Sequence, residues 1–118
     1  MTEMVDHPPH YTAFPDGLHA ECIDYTRHMG FAQGNAFKYL YRAGSKGDPA
    51  QDIAKARWYV EDALGHGNYA NAALREGFPR IDPNLSHRAK ALFYLAHGRL
   101  DVVVNAIDHF GVRLLEKR

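Results

Sequence analysis

The sequence predicts an all-α fold, a compact bundle of about five to six helices arranged as antiparallel hairpins behind an extended N-terminal arm. Apolar residues recur at three- and four-residue spacings through most of the chain, which is the period of an amphipathic helix. Capping residues and glycines divide the chain into segments of helical length. No segment alternates apolar and polar residues convincingly, as a half-buried strand would.

The first half of the chain is expected to hold the arm and three helices. A proline-led turn is predicted at 14–17. The first helix is predicted over about 20–29, and the second over 34–43, each ended by a glycine. Asp48 is a good N-cap for a third helix that begins at Pro49 and continues to about residue 64. The buried stripe of this third helix is predicted to be Ile53, Ala56, Val60, Ala63 and Leu64.

The second half continues with shorter segments. A short helix is predicted over about 68–76, and Ser86 is placed to cap the next helix, which Gly98 ends. A last helix is predicted over about 101–115. The inward residues of these last two helices are predicted to be Ala89, Leu92, Phe93 and Ala96, then Val103, Ile107, Phe110 and Leu114.

Length and composition indicate one domain over 1–118, divided into an arm (1–19), motif-bearing helices (20–64) and supporting helices (65–118). The chain is 46% apolar and 24% charged, and its 14 Lys+Arg balance its 14 Asp+Glu. This balance argues against binding of long nucleic acids or membranes through overall charge. The chain shows no signal peptide and no membrane-spanning apolar run, so we expect a cytoplasmic protein. Its single cysteine, Cys22, is expected to be a small buried apolar residue.

The segment 31–47 carries the most informative functional pattern. One face of its helix carries an amide, a ring and two cations, namely Asn35, Lys38, Tyr39 and Arg42. Lys46 adds a cation in the following loop, while Phe37, Leu40 and Tyr41 form the core-facing stripe. This combination suits a phosphate-bearing base in a cationic pocket between neighbouring helices, although the same spacing also fits a solvated helix face.

The third helix offers a matching set of side chains. Asp52, Lys55 and Tyr59 share one of its faces, and packing against the second helix would bring Asp52 to Lys38 or Arg42. Asp52 is then either a group that orients a cation or accepts a proton, or one half of an inter-helix salt bridge. Trp58 lies on a different face, and we expect it to serve the core or a subunit contact rather than ligand stacking.

Two further clusters have weaker functional interpretations. Glu21, Asp24 and His28 lie at helical spacing and could hold magnesium for a helical nucleotide pyrophosphohydrolase, a class that needs a second acidic cluster on another helix. The adjacent Glu61 and Asp62 point about 100° apart and do not supply that cluster. No metal site is therefore assigned.

The N-terminal run 7–11 could ligate a metal through His7 and His10, lay His10 or Tyr11 over a ligand base, or pack as an arm on a neighbour. The scattered histidines, His66, His87, His97 and His109, are predicted to lie at the surface.

Four motifs within about 7–64 together resemble a family of small phage proteins known as domain of unknown function 3310. They are His7-Pro8-x-His10-Tyr11, Glu21-Cys22-Ile23-Asp24, Gly34-Asn35-Ala36-x-Lys38-Tyr39-Leu40-x-Arg42-Ala43-Gly44-x-Lys46, and Asp52-Ile53-x-Lys55-Ala56-x-Trp58-Tyr59. One branch of that family is a nucleotide kinase of short-tailed phages, which phosphorylates deoxynucleoside monophosphates without a P-loop. No P-loop sequence occurs here either.

The resemblance implies a site in which phosphoryl transfer depends on positioning and charge neutralisation. The cations would be Lys38, Arg42, Lys46 and Lys55. Asn35 would read the base or ribose, Tyr11 or Tyr39 would stack, and Asp52 would be the base or the holder of magnesium, with ATP as the phosphoryl donor.

Three functions remain open at this point: a nucleoside monophosphate kinase, a non-catalytic nucleotide-binding protein such as a sponge for a host-defence signalling nucleotide, and a structural or regulatory helical protein. Homo-oligomerisation is expected, because helical hairpins of this size often bury leftover apolar surface between subunits. Lys38→Ala and Arg42→Ala are expected to abolish stabilisation by nucleotides while leaving the ligand-free melting temperature almost unchanged.

Overall fold

A computed structural model describes residues 14–116. Over this range the chain is all-helical, which confirms the predicted fold class. The helices are α1 (Cys22–Thr26), α2 (Phe31–Arg42), α3 (Pro49–His66), α4 (His87–Ala96) and α5 (Leu100–Glu116), with short 3-10 helices at Pro15–Gly17 and Ala72–Leu74. Among these helices, none is long and apolar enough to cross a bilayer.

The boundary between α1 and α2 differs from the prediction. Helix α1 starts after Glu21, which forms a reciprocal capping box with Asp24, and it ends at Thr26 rather than near residue 29. Gly30 is the extended N-cap of α2, and its carbonyl accepts a hydrogen bond from the Gly34 amide at 2.8 Å. Helix α2 therefore begins three residues before the predicted start at Gly34, which is instead the fourth residue of the helix.

Helix α3 begins as predicted, because the Asp48 side chain accepts a hydrogen bond from the Ala50 amide. It continues to His66 and ends at Gly67, whose positive φ of 65° closes the helix. The predicted stripe is confirmed for Ala56, Val60 and Ala63, whereas Ile53 is half-buried and Leu64 is exposed. Asp52, which was not part of that stripe, is buried at the start of the helix, where it pairs with Arg42.

The prediction of a helix over 68–76 is wrong, because this segment forms only one 3-10 turn, at Ala72–Leu74. The Asn71 side chain caps that turn by accepting from the Ala73 amide. The two following helices form as predicted. Ser86 Oγ accepts from the Ala89 amide at 2.9 Å. Of the eight predicted inward residues, Phe93 and Leu114 are half-buried and the others are buried.

The core lies between two packed helix pairs, α2 with α3 and α4 with α5, and α5 also packs on α3. Phe37, Leu40, Val60, Leu92 and Ile107 are fully buried in it. Gly111 permits the close approach of α5 to α3, because a Cβ there would lie 3.2 Å from an Ile53 methyl carbon.

A buried arginine joins the two halves of the chain. Arg88 of α4 donates to the carbonyl oxygen of Leu40 at 2.6 Å and to the carboxylate of Asp16 at 2.7 Å. Its guanidinium carbon also lies 4.6 Å from the centroid of the Phe110 ring. The last turn of α2 is therefore held by a side chain from the second half of the chain.

Candidate functional site

Side chains of α2 and α3 meet along one surface, which we call the α2–α3 face. Its members are Lys38, Tyr39 and Arg42 of α2 with Asp52, Lys55 and Tyr59 of α3. The two helices run antiparallel: Phe31 at the start of α2 contacts Tyr59 late in α3, and Arg42 at the end of α2 contacts Asp52 early in α3. Residues seventeen positions apart in sequence, Lys38 and Lys55, thereby approach the same ring.

The centre of the face is a pair of tyrosines. The rings of Tyr39 and Tyr59 are nearly parallel, at an angle of 10° with centroids 6.0 Å apart. The Nζ atoms of Lys38 and Lys55 lie 4.6 Å and 5.3 Å from the Tyr39 centroid, within the range of cation–π attraction. Because both ammonium groups lie close to the ring on which a base would stack, the geometry favours a role for Tyr39 in gathering positive charge.

One end of the face is an ion pair across the two helices. Arg42 Nε lies 3.3 Å from Asp52 Oδ2, and the Asp52 side chain is 4% exposed against 38% for Arg42. The Arg42 guanidinium also donates to the Lys46 carbonyl oxygen at 3.3 Å. Gly47 leaves room for it, since a Cβ there would lie 2.9 Å from Arg42 Nη2. Asp52 therefore holds Arg42 in place, as in the salt-bridge interpretation.

The other predicted ligand-binding residues lie around this face or beyond the described range. Lys38, Lys46 and Lys55 are exposed, so the surface that was predicted to be a pocket is open to solvent here. The side-chain amide of Asn35 donates to the Phe31 carbonyl oxygen of the same helix. His10 and Tyr11 lie outside residues 14–116, as does His7.

Two exposed aromatic residues extend the face in a way that sequence analysis missed. Phe31 is 76% exposed and packs edge-on against Tyr59. Trp58 is 59% exposed and also contacts Tyr59 edge-on, so it is not a core residue. The other alternative that was expected for it, a subunit contact, stays a prediction. Phe31 lies seven residues before Lys38, a spacing that places both on one face of a helix, but the predicted helix started at residue 34 and so left Phe31 out.

The acidic clusters have structural roles. Glu21 and Asp24 cap α1, and Asp24 also pairs with Arg27. Glu61 and Asp62 each pair with a side chain one turn away on α3. Among the described residues, no three His, Cys, Asp or Glu side chains could hold one metal ion.

The remaining residues of interest are partly as predicted. Cys22 is half-buried against the core, and burial raises the pKa of its thiol to about 12. His66, His87 and His109 are exposed. His97 was predicted to lie at the surface but is half-buried, with its ring 4.0 Å from that of Phe93.

These features define a class: an all-helical protein with cationic and aromatic side chains gathered along one antiparallel helix pair. The chain belongs to the family described as protein of unknown function (DUF3310), whose model matches residues 5–61. That range includes all six residues of the α2–α3 face, and it agrees with the segment that carries the four motifs. Neither the curated proteins nor the solved structures include a significant match to this chain.

Proposed function

We propose that the chain binds a nucleoside phosphate along the α2–α3 face. The observation that carries the proposal is the approach of Lys38 and Lys55 to the ring of Tyr39, which is stacked on Tyr59, on the same pair of helices that holds Arg42 against Asp52. Folding brings these cations together although the chain as a whole has no net charge. Guanidinium and ammonium groups on one face suit a ligand with several phosphate oxygens.

The base of the ligand would lie toward Phe31. Seven residues separate Phe31 from Lys38, which corresponds to about 10 Å along a helix axis, a distance that a nucleotide can span. A base stacked on an exposed aromatic ring gains roughly 1–3 kcal/mol. Asn35 lies between these two positions on α2 and would turn its amide from the Phe31 carbonyl toward the sugar or base.

Phosphoryl transfer to a deoxynucleoside monophosphate is the activity that the family resemblance favours. On this face, transfer would depend on positioning and charge neutralisation by Lys38, Arg42 and Lys55, with magnesium-bound ATP as the donor substrate. We assign Asp52 as the residue that positions Arg42 rather than as a base, because its carboxylate is buried and already paired.

Non-catalytic nucleotide binding is the second candidate function, and the same carboxylate favours it. Asp52 is the acid of the α2–α3 face, and only 4% of its side chain is exposed. A cationic surface without an available acid can retain a nucleotide, including a signalling nucleotide of host defence, and leave it unconverted.

Thermal shift with a panel of ribo- and deoxynucleotides tests binding. A ligand at 100 times its dissociation constant adds about 2.7 kcal/mol to the free energy of unfolding. Lys38→Ala with Lys55→Ala should remove this stabilisation, whereas Lys90→Ala, an exposed lysine of α4, is the matched control. If no nucleotide stabilises the wild-type chain, the proposal is wrong and a role as a helical interaction protein is favoured.

Chromatography of the same mixtures with magnesium and ATP separates the two candidates. Conversion of a monophosphate to a diphosphate supports the kinase, while stabilisation without conversion supports retention alone. Phe31→Ala should weaken nucleotide binding but not pyrophosphate binding, because pyrophosphate has no base to stack.

A further inference from the structure

A cavity of about 430 Å³ opens at the N-terminal end of α2, away from Lys38 and Arg42. Three parts of the chain form it: the turn after α1, the first turn of α2, and the segment 67–75. We infer that this cavity is a second ligand site, which takes the phosphate group of a small phosphate monoester. This site goes beyond the proposed function, since it uses none of the residues of the α2–α3 face.

The wall of the cavity is fixed before any ligand arrives. Gln33 is 1% exposed, and its side-chain nitrogen donates to the carbonyl oxygens of Ala70 and Leu95 at 2.8 and 2.9 Å. Its side-chain oxygen accepts from the Ala70 amide at 3.1 Å. Both ends of the amide are thus used to hold the segment around Ala70 against α2 and α4. A wall fixed in this way reduces the entropy cost of binding.

The charge of the lining favours an anion. Arg27, His28 and Arg75 contribute to it, and none of the described lining residues is a carboxylate. The Arg27 guanidinium does donate to the Asp24 carboxylate at 3.4 Å and to the Ile23 carbonyl oxygen at 3.2 Å, but Asp24 is not a lining residue and the Arg27 side chain is 57% exposed. An exposed pair of this kind contributes little, so Arg27 can turn to a ligand. Two guanidinium groups offer the paired donors that phosphate oxygens prefer.

The backbone adds donors to those of the arginines. Gly30 is both part of the lining and the N-cap of the 12-residue helix α2. Because Gly30 has no side chain to cap the first turn, the amide groups at this end receive no N-cap hydrogen bond from it and can donate to an anion. Tyr69 at the edge of the cavity is 39% exposed and offers a ring to the organic part of the ligand. The volume lies within the usual range of small-molecule sites, roughly 300–1,000 Å³.

Titration of the ¹⁵N-labelled chain with ribose 5-phosphate and with inorganic phosphate, followed by NMR, tests the inference. Ribose 5-phosphate is the chosen probe because it has a phosphate monoester but no base for Phe31. We expect saturable shifts of the backbone amides of Gly30 and Asn68. Arg75→Ala should weaken binding at least about tenfold, whereas the matched control, Arg80→Ala, an exposed arginine outside the cavity, should leave it unchanged.

Variants of the other site keep the two proposals distinguishable. Lys38→Ala with Lys55→Ala should change ribose 5-phosphate binding at the cavity by less than about twofold, because distant sites act independently. Equal losses from Arg75→Ala and Arg80→Ala, or shifts confined to the α2–α3 face, would overturn the inference. Melting temperatures show whether Arg75→Ala has lost its fold. If Arg75→Ala does not fold, Arg75→Lys replaces it in the titration. This variant keeps the positive charge but cannot donate two parallel hydrogen bonds, so it should bind ribose 5-phosphate measurably more weakly. Unchanged binding by Arg75→Lys would also overturn the inference.

Discussion

Replacement of Arg88 by methionine should destabilise the chain more than any exposed substitution. Methionine keeps much of the apolar length of arginine but has no donor. The Leu40 carbonyl oxygen, which Arg88 contacts at 2.6 Å, would be left buried near the end of α2, where the intrahelical ladder supplies no partner. Such a group costs about 1–3 kcal/mol.

The carboxylate of Asp16 would lose its ion pair with Arg88 in the same variant and keep the hydrogen bond from the Ser86 hydroxyl at 3.0 Å. The Arg88 side chain is 10% exposed and that of Asp16 is 32% exposed, so the pair is neither fully buried nor a surface pair. Breaking a buried pair costs about 3–5 kcal/mol, and the partial exposure of Asp16 places the combined loss near the lower end of that range. At roughly 4 °C per kcal/mol for a chain of this size, the melting temperature should fall by about 12 °C or more.

Chemical denaturation of Arg88→Met, Asp16→Asn and the double variant measures how much the Leu40 hydrogen bond and the Asp16 ion pair each contribute to the free energy of unfolding. Asp16→Asn should cost less, about 1 kcal/mol, because asparagine tolerates the positive φ of 50° found at this position and leaves Arg88 its bond to Leu40. Arg99→Ala, an exposed arginine, serves as the control. A loss below about 1 kcal/mol for Arg88→Met, or a larger loss for Asp16→Asn, would refute the reasoning.

Three further predictions concern the α2–α3 face and the buried thiol. Arg42→Ala should lower the free energy of unfolding by about 1–3 kcal/mol, because it leaves the buried Asp52 unpaired, whereas Lys38→Ala should have almost no effect. Equal losses of the two variants in urea denaturation would contradict this difference. The prediction replaces the sequence-based expectation that both variants keep the melting temperature of the wild-type chain. Gly47→Ala should destabilise the loop and displace Arg42, since φ is +73° and the added Cβ would lie 2.9 Å from the guanidinium; the thermal shift given by nucleotides should weaken with it. Burial raises the pKa of the Cys22 thiol from 9.0 to about 12, so the thiol should react slowly with Ellman's reagent at pH 8 in the native chain and rapidly in urea. Its contribution to the free energy of unfolding should be lost as pH rises from about 9 towards 12. Fast reaction of the native chain at pH 8 would show that the thiol is accessible.

The helices were predictable where caps and periodicity agree. Asp48 and Pro49 define the start of α3, and Ser86 defines that of α4, because each cap depends on neighbours in sequence. The start of α2 was not predictable in the same way, since Gly30 and Gly34 offer equivalent local signals. The segment 68–76 does not form a helix although five of its nine residues are apolar. The backbone of Ala70 is held instead by the side chain of Gln33, which is 37 residues away in sequence.

The face was predictable in its membership but not in its geometry. Helical spacing placed Lys38, Tyr39 and Arg42 together, and it put Asp52 within reach of Arg42. Spacing does not reveal burial, so it could not decide that Asp52 faces inward while Arg42 remains partly exposed. It also could not show that Lys55 from a different helix shares the ring of Tyr39, because that depends on the register of two antiparallel helices.

Because Arg88 of α4 holds the end of α2, the family-matched segment 5–61 depends on contacts from the second half of the chain. A truncated chain ending after α3 would retain all six residues of the α2–α3 face but lose the cover over Phe37 and Leu40, the guanidinium on the Leu40 carbonyl, and the Leu95 acceptor of Gln33. A relative that combined the same motifs with a different C-terminal half would have to stabilise the end of α2 and the Gln33 side chain through other contacts. Comparing how each relative does so would show which parts of the scaffold constrain the evolution of the face.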